Sequence, residues 1–233
     1  MKKLITALLL AMLLITSVAY AVGTLKDAEQ TYTKEDYVRA FKLSKALALK
    51  GDVNAQYVLG MLYFEGKGVT QDYAKSAKWL KLAAEQGFQA SQMQLGFMYD
   101  EGMGLPKNYA EAARWYRLSA EQGNKAAQYF LGSLAFEGKG IIQDYAEAAK
   151  WFQLSAEQGE KGVQEKLGFM YAEGDGVNKN VVKAHMWLNL AAADGDIRAI
   201  LGRKIVGESM TKEQVAEAQI LANECLARNY KGC

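Results

Sequence analysis

Proline occurs once, histidine once and cysteine twice in these 233 residues, and each scarcity removes a class of protein. A single histidine, with cysteines only at Cys225 and Cys233, leaves a transition-metal site almost no ligands, so no metal or cofactor is expected. The lone proline, Pro106, rules out proline-rich linkers, and no stretch alternates polar and apolar residues as a half-buried strand does. Excess charge is lacking too. Lys2 and Lys3 precede an apolar run from Leu4 to Ile15 and then Ala19-Tyr20-Ala21, the layout of a secretory signal. The run is shorter than the roughly 20 residues that span a membrane. With 1–21 removed as a signal peptide, 26 basic residues face 26 acidic ones. Such a chain has no built-in attraction for nucleic acid or anionic lipid. The expectation is an exported protein, periplasmic or secreted, with no stable membrane insertion. An oxidising compartment favours a disulfide between Cys225 and Cys233; free thiols or an intermolecular bridge are the alternative.

What the sequence has in abundance is repetition. Trp79, Trp115, Trp151 and Trp187 are 36 residues apart, and so are Gly60, Gly96, Gly132 and Gly168, each preceded by leucine. The loop pairs Gly66/Gly68, Gly102/Gly104, Gly138/Gly140 and Gly174/Gly176 keep the same step, as do Gly87, Gly123, Gly159 and Gly195. Each period reads as two helices. The first, about Ala55 to Phe64 in the first copy, carries Leu59, Leu62 and Tyr63 at helical spacing. Asp72, Asn108 and Asp144 stand where the second helix needs an N-cap, and Glu111 and Glu147 complete apparent capping boxes. Gly87 then ends the helix. Glycine inside a helix costs roughly 1 kcal/mol against alanine, so Gly60 and its copies imply close approach of the partner helix. Ala77, Ala83 and Ala84 would supply the small partners and Trp79 the large filler. No such hairpin buries its own apolar faces, so neighbours must stack.

The segment AQYVLGMLYFEGKGVTQDYAKSAKWLKLAAEQG (55–87), with its copies at 91–123, 127–159 and 163–195, resembles the Sel1-like repeat, a relative of the tetratricopeptide repeat. The fold expected is all-α, a right-handed α-solenoid of stacked helix-turn-helix repeats. Its boundaries are a capping half repeat at 22–54, repeats at 55–90, 91–126, 127–162 and 163–199, and a C-terminal capping helix and tail at 200–233. The register predicts a second-type helix over 36–52. Residues 200–210 read as a short helix or connection. Thr211 to Gln214 reads as a capping box opening a last helix, whose Val215, Ile220, Leu221 and Leu226 would cover the fourth repeat. Ala135 replaces an aromatic found at Tyr63, Tyr99 and Tyr171, which predicts looser packing in the third repeat.

Several residues invite a chemical reading. Gly66-Lys67-Gly68 ahead of a helix suggests a phosphate loop, but Lys67 becomes Met103, Lys139 and Asp175 in later copies, and a phosphate loop follows a strand. It is read as a bend. His185 stands where Ala77, Ala113 and Ala149 stand elsewhere, with no carboxylate or thiol beside it, and is read as packing. Glu65, Glu101, Glu137 and Glu173 form a row spaced about 10 Å if the helices pack at ordinary distances. Paired hydrolytic carboxylates lie about 5–9.5 Å apart, so these read as loop or neighbour contacts.

What remains is a surface. In a tetratricopeptide-like arrangement the first helices line the concave face, and Tyr57, Phe64, Tyr129 and Phe136 are the candidate contacts there for a protein or peptide partner. Met61, Phe97 and Phe169 are divided between that surface and the core between repeats. The resemblance implies a scaffold and not an enzyme. It leaves two alternatives: a β-lactam-binding or -hydrolysing member of the family, and a module for peptidoglycan or another glycan. The β-lactam-linked relatives carry cysteine pairs within their repeats, which this chain lacks, and no Ser-x-x-Lys was expected at a helix start.

Overall fold

The computed structural model describes residues 34–193 and 195–233; the signal peptide and the first part of the capping half repeat lie outside them. Among the described residues there are eleven helices and no strand. They are α1 (Lys34–Ala48), α2 (Val53–Glu65), α3 (Tyr73–Glu85), α4 (Gln89–Glu101), α5 (Tyr109–Glu121), α6 (Lys125–Glu137), α7 (Tyr145–Ala156), α8 (Lys161–Glu173), α9 (Val181–Ala192), α10 (Ile197–Glu208) and α11 (Lys212–Ala227). They fall into two compact units, Met1–Lys107 and Asn108–Cys233.

Caps set the helix starts in the 36-residue register. The side chains of Asp72, Asn108, Asp144 and Asn180 accept bonds from the first-turn amides of α3, α5, α7 and α9. A second series, Asp52, Asn124 and Asp196, does the same for α2, α6 and α10. Each such cap is worth about 1 kcal/mol over alanine. The capping box at Thr211 and Gln214 is formed. Those expected at Glu111 and Glu147 are replaced by other pairings. Glu111 holds Arg114 at 3.0 Å, while Glu147 holds Arg117 at 2.8 Å and accepts from Trp151 Nε1 at 3.2 Å.

Both loop glycines are required by geometry. Gly66 has φ 69° as the C-cap of α2, and Gly68 has φ 70°. A Cβ on Gly68 would collide with the Tyr37 carbonyl at the start of α1. Gly104 abuts Tyr73 in the same way, Gly140 abuts Tyr109, and Gly176 abuts Tyr145. The loop is therefore both a bend and the contact by which one hairpin rests on the preceding second helix.

The core residues recur with the period. Leu59, Leu95, Leu131 and Leu167 are fully buried. So are Leu80, Tyr116, Phe152 and Leu188, which stand one position after the tryptophans. Here the expected filler is corrected. Trp115 and Trp187 are buried but Trp79 and Trp151 are only half-buried, and the mid-helix glycine makes room for the following residue instead. A Cβ on Gly60 would lie 2.7 Å from Leu80 Cγ, one on Gly132 2.7 Å from Phe152 Cδ1, and one on Gly168 2.7 Å from Leu188 Cγ. The tryptophan sits about 100° round the helix, at the edge of that contact.

A glutamine ladder, absent from the sequence-based reading, ties the first three hairpins to the helix before each. It stops at the fourth, where the side chain of Gln164 is buried without a hydrogen bond among the described residues. Gln56, Gln92 and Gln128 donate from Nε2 to the carbonyls of Ala48, Ala84 and Ala120. Gln86 and Gln158 in turn donate to Gln56 and Gln128 at 2.7 and 2.8 Å. Each of these carbonyls also accepts from a turn amide, of Gly51, Gly87 and Gly123, so the buried side-chain amide adds a second bond to an oxygen with two lone pairs.

The C-terminal end departs from expectation twice. Residues 197–208 form a full 12-residue helix. The buried face of α11 is Ala218, Ala222 and Cys225 with half-buried Leu221, and Ile220 and Leu226 are exposed. The small residues let α11 lie close on α9, where they join Trp187, Leu190 and Phe152 in one cluster. Cys225 and Cys233 are joined in a disulfide that closes the tail next to this cluster.

Candidate interaction surface

All four expected contact residues are half-buried, each with one edge packed in its own unit. In the first unit the Tyr57 ring lies 5.1 Å from Phe88 and the Phe64 ring 5.3 Å from Tyr73. Burial, and secondarily the Glu65 charge, push the Tyr57 hydroxyl above its ordinary range. In the second unit Tyr129 and Phe136 both approach Phe152, at 6.3 and 6.4 Å, and Phe136 also meets Tyr145 at 5.0 Å. Phe64 and Phe136 belong to one repeated clamp. Gln71 donates to the Phe64 carbonyl at 2.8 Å and to the Tyr73 hydroxyl at 3.1 Å. Gln143 repeats both bonds at Phe136 and Tyr145, at 2.9 and 3.1 Å. The inner edges of these aromatics are structural and their outer edges stay open.

Of the divided residues, Met61 is half-buried against the Leu80 cluster, whereas Phe169 is 37% exposed. Phe169 lines a groove of about 460 Å³ in the second unit together with Tyr129, Glu165, Arg198 and Leu201. Glu165 is buried and holds Arg198 at 2.9 Å. Burial pushes its carboxyl above the ordinary range, and the Arg198 charge pulls the other way. Lys166 lies over the Tyr129 ring at 5.9 Å. Sequence reasoning named Tyr129 and divided Phe169 between surface and core, but it missed Arg198 and Leu201, because α10 breaks the repeat spacing that guided the search.

The other candidates resolve locally. Lys67 pairs with Glu65 of its own loop at 2.8 Å and lies over Tyr37; Lys139 does the same with Glu137 and Tyr109. Glu65 and Glu137 thus brace their own loops, within rather than between hairpins. His185 is buried near Gly207 of α10. Burial, helped by the Arg203 charge, holds its imidazole below the usual range. The expected lack of a Ser-x-x-Lys spacing is corrected, since Ser209-Met210-Thr211-Lys212 has it. Ser209, however, caps the end of α10 and donates to the Val206 carbonyl at 2.8 Å, while Lys212 opens α11. The two do not share the helical turn that such a catalytic pair occupies. Among the described residues no helix is long and apolar enough to cross a membrane.

Stacked helix hairpins with open aromatic edges define a helical-repeat scaffold. The Sel1 repeat model matches residues 18–52, 53–88, 89–124, 125–160 and 163–196, and the chain belongs to this family. The first matched segment, 18–52, begins within the expected signal peptide and takes in most of the expected half repeat, 22–54, as a fifth repeat. A Sel1 repeat protein from Oxalobacter formigenes is similar at 35% identity and a TM-score of 0.66, covering 73% of this chain and 50% of that one. Also similar is c5321, a protective antigen of uropathogenic Escherichia coli with an SLR fold, at 25% identity and a TM-score of 0.51, covering 83% and 57%. This chain thus spans about half the length of these solved structures. The search of curated proteins gave no match.

Proposed function

We propose that this Sel1 repeat protein is an exported, non-enzymatic adaptor that binds a protein partner through the face lined by the first helices of its hairpins. Sel1 repeats are scaffolds that typically mediate protein interactions. The observation that carries the reading is the set of half-buried aromatics, Tyr57, Phe64, Tyr129 and Phe136, whose inner edges are packed and whose outer edges remain accessible. Rigid rings held this way bind at low entropic cost, and aromatic side chains dominate binding hot spots. The disulfide at Cys225 and Cys233 supports an oxidising compartment. A photoreactive residue at Tyr129 in intact cells should crosslink one protein repeatedly, and the product should be absent when the probe is moved to exposed Leu49. Equal capture from both positions rejects the assignment of the face. Turnover of a chromogenic β-lactam by the purified protein rejects the non-enzymatic reading.

A further inference from the structure

The groove between α6, α8 and α10 has a feature that packing does not explain. Gly162, in the first turn of α8, lines it, and a Cβ built there would meet nothing within 4 Å. Its backbone is helical, so no positive φ calls for glycine. Alanine stands at this register in the two preceding repeats, at Ala90 and Ala126. Glycine inside a helix is unfavourable by about 0.5–1 kcal/mol relative to alanine. What the missing methyl changes is the width of the groove.

The groove has an apolar lining and a cationic rim. Tyr129, Phe169, Leu201 and Ile205 supply rings and aliphatic chains, with Leu201 53% and Ile205 67% exposed. Two cations reach it, Lys166 over the Tyr129 ring and Arg198, whose side chain is 79% exposed. The one carboxylate in the lining, Glu165, is buried and already engaged by Arg198. Asp196, close enough to raise the Glu165 carboxyl, accepts from the first-turn amides of α10, so with Arg198 balancing Glu165 the further cation over the apolar lining is Lys166. A volume of about 460 Å³ is at the small end of ligand sites and suits an anchoring side chain. Two cations are too few for the row of phosphate contacts that holds a nucleic acid.

We infer that this groove takes a short acidic peptide of the partner, with one aromatic or aliphatic side chain anchored between Tyr129 and Leu201 and flanking carboxylates on Lys166 and Arg198. The inference rests on the adaptor reading and specifies the chemistry of its partner.

The test uses fluorescein-labelled nonapeptides with a central Phe-Leu, flanked by Asp/Glu, by Ser, or by Lys/Arg, titrated by anisotropy onto the purified exported chain. The acidic set should bind at least tenfold more tightly than the basic set. Gly162→Met should weaken the acidic set at least tenfold while leaving the melting temperature equal or higher, because it fills open space. Lys166→Gln should narrow the gap between acidic and serine-flanked peptides. Equal or basic-favouring affinities overturn the proposal, as does an unchanged affinity in Gly162→Met. A 12-nucleotide single strand that competes at the same site, or self-association abolished by Gly162→Met, also overturns it. If no peptide binds while Tyr129 still captures a protein in cells, this inference alone falls. Loss of both removes the adaptor reading as well.

Discussion

The first hairpin, α2 with α3, and the third, α6 with α7, share a register yet close on their glycines with different side chains. In the first, Leu80 fills the notch at Gly60, and Tyr63 packs edge-on against Phe41 at 5.4 Å. In the third, alanine occupies the Tyr63 position and phenylalanine the Leu80 position. The looseness expected from Ala135 is not found: Ala135 and Phe152 are both fully buried, and the Phe152 ring reaches Tyr129 and Phe136. Bulk has moved from the first helix to the second. The lesson is that a repeat conserves the filled volume between helices and not the residue that fills it, as close-packed interiors require.

The strongest way to break the comparison is truncation of the filler. Phe152→Ala should cost about 3–5 kcal/mol and Leu80→Ala about 2–5 kcal/mol, read from urea midpoints. Phe152 should be the worse because its ring supports two more aromatics. Equal losses would mean that Tyr129 and Phe136 gain nothing from it. Next comes the notch. Gly132→Ala and Gly60→Ala should each cost about 1–3 kcal/mol through overpacking. The larger effect is expected at Gly132, where a rigid ring must move as a whole. Adding Phe152→Leu should restore much of the Gly132→Ala loss, and a lack of rescue would place the strain elsewhere.

His185 carries the comparison to the fourth hairpin, where it replaces the alanine of the others. Its imidazole is held below the usual range by burial, so the unfolded chain takes up the proton first. Stability tied to the neutral ring is complete above about pH 6.5, the ordinary histidine value, and falls as pH drops below it. The stability of the native chain relative to His185→Ala should therefore decrease between pH 7.5 and 5. Parallel curves for the two proteins would show that the ring is solvated. The smallest expected stability change is at the open edges. Phe136→Ala and Tyr57→Ala should cost about 1–2 kcal/mol, less than a fully buried aromatic, while weakening partner capture at least tenfold. The contacts of Phe136 with Tyr145 and of Tyr57 with Phe88 are what make this loss measurable.

Much of this molecule was legible because its signals are local. The 36-residue step, the caps at Asp72, Asn108 and Asp144, and the left-handed glycines depend on a few neighbouring residues each, and copying amplified them fourfold. The candidate surface was legible in part, since Tyr129 and Phe136 follow from helical spacing. The groove around Gly162 did not, because Leu201 and Ile205 come from α10, which lies outside the repeat pattern.

From sequence alone follow the helical hairpins, their period and their family, since backbone conformation and amphipathic spacing are written within tens of residues. The tertiary structure alone decided that Leu80 and Phe152, not the tryptophans, fill the glycine notch, and that α11 lies on α9 through alanines. It also decided that one cleft in the second unit was left open. These outcomes depend on which surfaces meet across sequence separations of 20 residues and more, where the contact is chosen by total volume and close approach rather than by any residue's own preference.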